Sequence, residues 1–238
     1  MQIAGAQKLS LIDYPGKMAA IIFTYGCNLR CPFCHNPELV IAPFIKTDDD
    51  IFNVLKERKG LIEGVCITGG EPLLQDDLGE FMKEIKEMGF LVKLDTNGLL
   101  CDKLEMIIKN KLADYIAMDI KAPLRYDEAG NDISYYRAAG VKINTEKIKK
   151  SINLIMNSGI DYEFRTTIVS GIHKKNDIID IAKLINGAKK YNLQKFEIRD
   201  KILDTEMLNA SSISKKEALE LQEECKKYAQ ECELRGWE

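Results

Sequence analysis

Three cysteines fall within eight residues, spaced Cys27-x3-Cys31-x2-Cys34. Thiolates this close on one segment can wrap a compact metal centre. Structural zinc takes four protein ligands, and His35, directly after Cys34, would be a strained fourth. A [4Fe–4S] cluster held by three cysteines leaves one iron open to another ligand. Cys31 and Cys34 alone could form a redox pair, which leaves Cys27 without a role. The other four cysteines, Cys66, Cys101, Cys225 and Cys232, are scattered and read as small buried hydrophobes. The last two, seven apart, are expected to share a face of one helix.

Apolar, β-branched runs that could position these residues recur at 18–24, 64–68, 90–95, 114–119, 162–169 and 195–199. Bounded by Gly, Asn or Asp, such runs read as buried strands. Helical patterns lie between them at 48–59, 76–88, 103–110, 145–158 and 176–191, with a last helix over about 215–235. Thr47 and Asp48 have the chemistry of helix caps, and Gly60, Gly89 and Gly159 sit where helices should stop. Strand–helix alternation implies parallel strands joined by right-handed crossovers. The expected fold is α/β, a partial (β/α)6 TIM-like barrel in one domain spanning 1–238, its core over about 17–200. A flat doubly wound sheet is the alternative. Residues 123–141, rich in Tyr, Asp and Gly, are expected to form a functional loop or lid after the fourth strand.

Ligands of either fold sit at the carboxyl ends of the strands, and the residues there are unusual. The first strand runs into the cysteine segment and the second into Thr68-Gly-Gly-Glu-Pro72. The third ends in Asp95-Thr-Asn-Gly98 and the fourth in Met118-Asp-Ile-Lys-Ala-Pro123; the fifth carries Arg165. Polar, charged and glycine residues converge on one rim.

Cys27-x3-Cys31-x-Phe33-Cys34, with its aromatic residue before the third cysteine, resembles the signature of the radical S-adenosylmethionine (SAM) enzymes. Gly69-Gly70-Glu71-Pro72 resembles the second motif of that superfamily. More narrowly, the chain resembles the glycyl-radical-enzyme activating proteins, and among them the anaerobic ribonucleoside-triphosphate reductase activating proteins. That likeness is carried by Leu11-Ile-Asp-Tyr-Pro-Gly-Lys17, 24–37, 68–72, Asp95-Thr-Asn-Gly98 and Met118-Asp-Ile-Lys121.

The resemblance implies one [4Fe–4S] cluster on Cys27, Cys31 and Cys34, its open iron chelating the methionine end of SAM. One electron from the cluster then cleaves SAM to methionine and a 5′-deoxyadenosyl radical, which removes a hydrogen atom from the substrate. It further implies that backbone at Phe33 and His35 meets the adenine. Gly69 and Gly70 would let carbonyls approach the methionyl ammonium, where a Cβ would obstruct. Glu71 is expected to organise its motif, because hydrogen-atom transfer needs no general base. Asp119 and Lys121, two apart on a strand, point the same way; Lys121 would contact SAM's carboxylate, and Asp119 a ribose or a nearby cation. Arg165 is a further candidate for SAM contact. Asp95 and Thr96 resemble a monovalent-cation site, with an Asx-type turn as the alternative. Related chains often end their sixth strand in Pro-Tyr-His; here the segment reads Glu197-Ile-Arg-Asp-Lys-Ile202. Arg199 or Asp200 could substitute for that histidine, and His173 reads as a solvated loop residue.

Only Cys66 lies between Cys34 and Gly69, too few thiols for auxiliary clusters. The implied activity is an activase reaction, abstraction of hydrogen from a glycine of a partner glycyl radical enzyme. Flavodoxin or ferredoxin would be the electron donor. A small-molecule radical SAM enzyme resembling 7-carboxy-7-deazaguanine synthase is one alternative; a non-catalytic iron–sulfur or zinc module is a remoter one. Lys plus Arg number 34 against 37 Asp plus Glu, a net charge of −3, so no basic face points to nucleic acid. No secretory signal and no bilayer-length apolar run is evident, which leads to the expectation of a cytoplasmic protein.

Overall fold

The computed structural model describes residues 1–44, 50–128, 132–197 and 201–237. Among the described residues one sheet holds eight strands in chain order: β1 (Ile3–Ser10), β2 (Ala19–Thr24), β3 (Gly64–Gly69), β4 (Leu91–Thr96), β5 (Tyr115–Asp119), β6 (Asp161–Ile168), β7 (Ala188–Lys195) and β8 (Ala229–Arg235). β1 runs antiparallel to β2, and every later neighbour pair is parallel. Helices α1 (Ile51–Glu57), α2 (Leu78–Glu87), α3 (Cys101–Lys109), α4 (Tyr135–Ala139), α5 (Thr145–Met156), α6 (Lys175–Leu184) and α7 (Lys215–Cys225) lie in the crossovers. β1 and β8 are the two edges of the sheet, so it stays open. None of the described helices is long and apolar enough to cross a membrane.

Because side chains alternate along a strand, the registers sort the sheet into two faces of opposite character. On one face Ile67, Leu94, Met118, Phe164 and Leu193 join Met82, Ile85, Ile107, Ile152 and Ile181 of the helices in one buried core. On the other, Cys66 lies beside Lys93, Ala117 lies between Asp95 and Glu163, and Arg165 lies between Asp119 and Asn192. The interior of the open barrel is therefore charged.

The strand count departs from the expected six. The helix expected over 176–191 stops at Leu184, and Gly187 donates its N–H to the Tyr228 carbonyl at 2.7 Å. β7 then occupies 188–195, upstream of the expected 195–199. The last helix stops at Cys225, and β8 pairs with β7 from Ala188↔Ala229 to Gln194↔Arg235. Cys225 and Cys232 therefore sit on a helix and a strand, not on one helix face; both are buried. The Lys, Glu and Gln in these strands favour a helical reading locally, whereas pairing with the sheet decides the outcome. Antiparallel β1, with one β-branched residue among its eight and Gly, Gln and Lys beside it, gives no β-branched run.

α2 and α5 end just before Gly89 and Gly159. Thr47 and Asp48 lie outside the described residues; Asp50 caps α1, accepting the Asn53 N–H at 3.2 Å. Within 123–141, Tyr135, Ala138 and Ala139 are wholly buried. The Ala139 carbonyl accepts the Arg30 N–H at 2.8 Å, so α4 braces the cysteine loop from beneath and is not a free lid.

Candidate active site

The cysteine loop leaves β2 and is held from two sides. Besides the α4 brace, Leu203 and Asp204 donate backbone N–H groups to the carbonyls of Cys34 and Pro32 at 3.1 and 3.0 Å. Cys27, Cys31 and Cys34 all face one cavity of about 220 Å³ at the carboxyl ends of the strands. Its lining takes in Phe33, His35, Gly69, Gly70, Asp95, Thr96, Asp119, Lys121 and Arg165, but not Glu71. Burial pushes the Cys31 thiol up to about 12 and raises that of Cys27 too. A larger groove of about 1090 Å³ lies on the outer surface between α2 and α3 and reaches none of these residues.

A Cβ on Gly70 would stand 1.9 Å from the Gly26 carbonyl oxygen, and one on Gly69 (φ +110°) would stand 2.4 Å from the Thr24 nitrogen. The two glycines are thus required by the packing of this strand end against the start of the cysteine loop, before any ligand arrives. Glu71, 1% exposed, is turned away from the cavity. Its Oε1 accepts the Leu73 N–H at 3.2 Å and the Thr96 hydroxyl at 2.8 Å, and its Oε2 accepts the Asn97 N–H at 2.7 Å. Burial pushes the carboxyl up to about 7 against those three donors.

Asp119, Lys121, Asp95 and Arg165 form one ionic chain. Lys121 Nζ lies 2.9 Å from Asp119 Oδ2, and Arg165 Nε lies 2.8 Å from Asp119 Oδ1. Arg165 Nη1 reaches Asp95 Oδ2 at 3.1 Å, and the Thr68 hydroxyl donates to the same oxygen at 3.2 Å. Beneath, Lys93 pairs with Asp95 Oδ1, while Arg235 grips Glu163 with two bonds of 2.9 and 2.8 Å. Burial by itself would raise the Asp119 and Asp95 carboxyls, but Arg165 with Lys121, and Arg165 with Lys93, hold them below the usual carboxylate range.

His173 is buried rather than solvated. Its Nδ1 accepts the Val169 N–H at 3.1 Å, which leaves the proton on Nε2, 2.7 Å from the Lys121 carbonyl oxygen it donates to. Burial lowers its pKa, in keeping with a neutral ring. His35 stacks on Phe196 with ring centroids 5.3 Å apart, its Nε2 lying 2.8 Å from the Glu197 carbonyl oxygen. Arg199 and Asp200 lie outside the described residues.

The sequence profile of the radical SAM superfamily matches residues 21–185, which carry most of β2, the cysteine loop and β3 to β6. The chain belongs to the radical SAM superfamily. It is a radical SAM enzyme 39% identical over 228 residues to a Methanocaldococcus jannaschii protein provisionally named a glycyl-radical enzyme activating enzyme; the match covers 95% of this chain and 92% of the relative. It is 32% identical over 206 residues to the pyruvate formate-lyase-activating enzyme of Staphylococcus epidermidis, covering 81% and 77% of the two chains. The radical SAM fold is shared with SuiB of Streptococcus suis bound to S-adenosylmethionine, with a TM-score of 0.64 and 14% identity over 91% of this chain and 52% of that one. It is also shared with TYW1, with a TM-score of 0.56 and 18% identity over 89% and 74%.

Membership implies a [4Fe–4S] cluster and SAM, and the donor set suits both. Among the described residues no three His, Cys, Asp or Glu side chains converge on one ion. The three thiols instead line one cavity, as a multi-iron cluster needs, because its sulfur ligands bind different irons. Close by stands the Lys121 ammonium, a donor for a carboxylate. Thr68, Lys93, Asn97, Glu163 and Arg235 also hold the site together, and none of them is a candidate by motif. A signal existed for two of them: Lys93 and Glu163 each precede a site residue by two positions, Asp95 and Arg165, and so share its face.

Proposed function

We propose that the protein is a radical SAM activase that abstracts a hydrogen atom from a backbone glycine of a partner glycyl radical enzyme. The candidate partner favoured by the sequence phrases is anaerobic ribonucleoside-triphosphate reductase, and the candidate electron donor is flavodoxin or ferredoxin. The observation that carries the reading is the convergence of Cys27, Cys31, Cys34 and Lys121 on one cavity at the strand ends, in a chain whose similar relatives bear activating-enzyme names. When bound, the cluster and SAM supply the one-electron cleavage that yields a deoxyadenosyl radical; hard chemistry of this kind belongs to cofactors.

The chain's own groups bind and orient. Cys27, Cys31 and Cys34 hold the cluster, and Lys121 takes the SAM carboxylate, kept in place by Asp119. Arg165, tied to both Asp95 and Asp119, fixes the floor of the site. Phe33 and His35 border the adenine end, while Glu71 stiffens the rim from behind. The sheet, open between β1 and β8, leaves room for a protein loop, which favours a macromolecular substrate. Anaerobic reconstitution with iron and sulfide, then reduction with SAM and the candidate partner, tests the reading. 5′-Deoxyadenosine should form in step with an organic radical on the partner, and formation of neither would refute it.

A further inference from the structure

The resemblance led to a monovalent cation at Asp95 and Thr96, and the residues present do not fit one. An alkali cation is held by several oxygen lone pairs. Here both carboxylates are committed to nitrogen cations: Asp95 to Lys93 and Arg165, Asp119 to Arg165 and Lys121. The Thr96 hydroxyl donates to Glu71 and accepts the Gly98 N–H at 3.1 Å. A fourth positive charge placed among Lys93, Arg165 and Lys121 would be repelled by all three.

We infer that Lys93 is the built-in cation of the SAM site, a positioning residue whose ammonium takes the place of a bound monovalent ion at Asp95. Lysine is rarely fully buried unless it is paired, and Lys93 is 1% exposed. Its ammonium is aimed at Asp95 Oδ1, with Cys66 Sγ as a second partner at 3.6 Å. Asp95 in turn holds Arg165, which holds Asp119, which holds Lys121. Four unbroken contacts therefore lead from the buried ammonium to the group assigned to SAM's carboxylate. Covalent attachment to β4 makes this charge permanent, whereas a dissolved ion would have to be captured.

The inference rests on the cavity being the SAM site, and the experiment separates the two. SAM binding to the cluster-loaded protein is measured by calorimetry in potassium, sodium and choline chloride at equal ionic strength. The wild type should bind equally, within about twofold, in all three. Lys93→Met should lose about 10- to 100-fold in affinity in choline, the effect of removing a charge-assisted contact, and regain most of it in potassium or sodium. Should Lys93→Met fail to fold, Lys93→Ala, which leaves room for an ion and is kept in potassium until exchange, takes its place. A wild type that binds SAM only with an alkali cation overturns the inference and leaves the SAM site standing. So does a variant that binds normally in choline, or one whose weak binding no ion restores. A wild type that binds no SAM in any salt overturns the site itself.

Discussion

The Thr96 hydroxyl donates to Glu71 Oε1 across 2.8 Å, joining the loop after β3 to the loop after β4. Asn97 N–H closes the same carboxylate from its other side at 2.7 Å. Two strand ends that both line the cavity are thereby locked to each other by a buried group outside it.

Glu71→Gln should break that lock. The amide NH2 would face backbone donors, leaving at least one of them unpaired in a buried place, at a cost of roughly 1–3 kcal/mol. Urea unfolding of the unloaded protein should show a lower midpoint with the same slope, and SAM affinity should fall while the cluster still assembles. An unchanged midpoint would contradict the role given to Glu71.

Opposite pH dependences are expected from the two kinds of buried carboxylate. Glu71, at about 7 against an ordinary 4.5, binds its proton more tightly when folded. Its contribution is therefore full below about 4.5 and lost as pH rises through about 7. Asp119 and Asp95, held below their ordinary 3.8, contribute stability above that pH and lose it as pH falls below it. Unfolding free energy should therefore decline on both flanks; Glu71→Gln should flatten the rise-of-pH flank and Asp119→Asn the acid flank. Identical profiles for both variants and the wild type would refute these assignments.

Each of Cys27→Ala, Cys31→Ala and Cys34→Ala should abolish the cluster's visible absorbance and SAM cleavage. Cys101→Ala, Cys225→Ala and Cys232→Ala should leave both intact, because these thiols sit outside the cavity lining. Iron content and absorbance after reconstitution give the answer, and a cluster that survives loss of one of the three would be inconsistent with them as its ligands.

Lys121→Ala should weaken SAM binding about 10- to 100-fold, the value of roughly 1.5–3 kcal/mol for a charge-assisted contact, with cluster assembly normal. Equal SAM affinity in the loaded variant would remove Lys121 from the site.

The strand ends were legible because Gly-Gly-Glu-Pro, Asp-Thr-Asn-Gly and Asp-Ile-Lys each follow an apolar run. β7 and β8 were not, because Lys189, Lys190, Glu231 and Glu233 carry helical propensity and become strand only through pairing across the sheet. The floor of the site hid for a similar reason. Lys93 and Glu163 sit mid-strand among apolar neighbours, where a charge looks out of place until Asp95 and Arg235 are brought to it. His173 read as solvated because its partners, Val169 and the distant Lys121 carbonyl, meet only in the fold.

The central claim is hydrogen abstraction from a partner's glycine, and isotope transfer tests it most directly. The partner is prepared with α-deuterated glycine and mixed anaerobically with the reduced, cluster-loaded protein and SAM. Mass spectrometry should find deuterium in 5′-deoxyadenosine, and the electron paramagnetic resonance doublet given by unlabelled partner should collapse to a single line. Deuterium absent from 5′-deoxyadenosine with every glycyl radical enzyme offered, while a small molecule is turned over instead, would contradict the account.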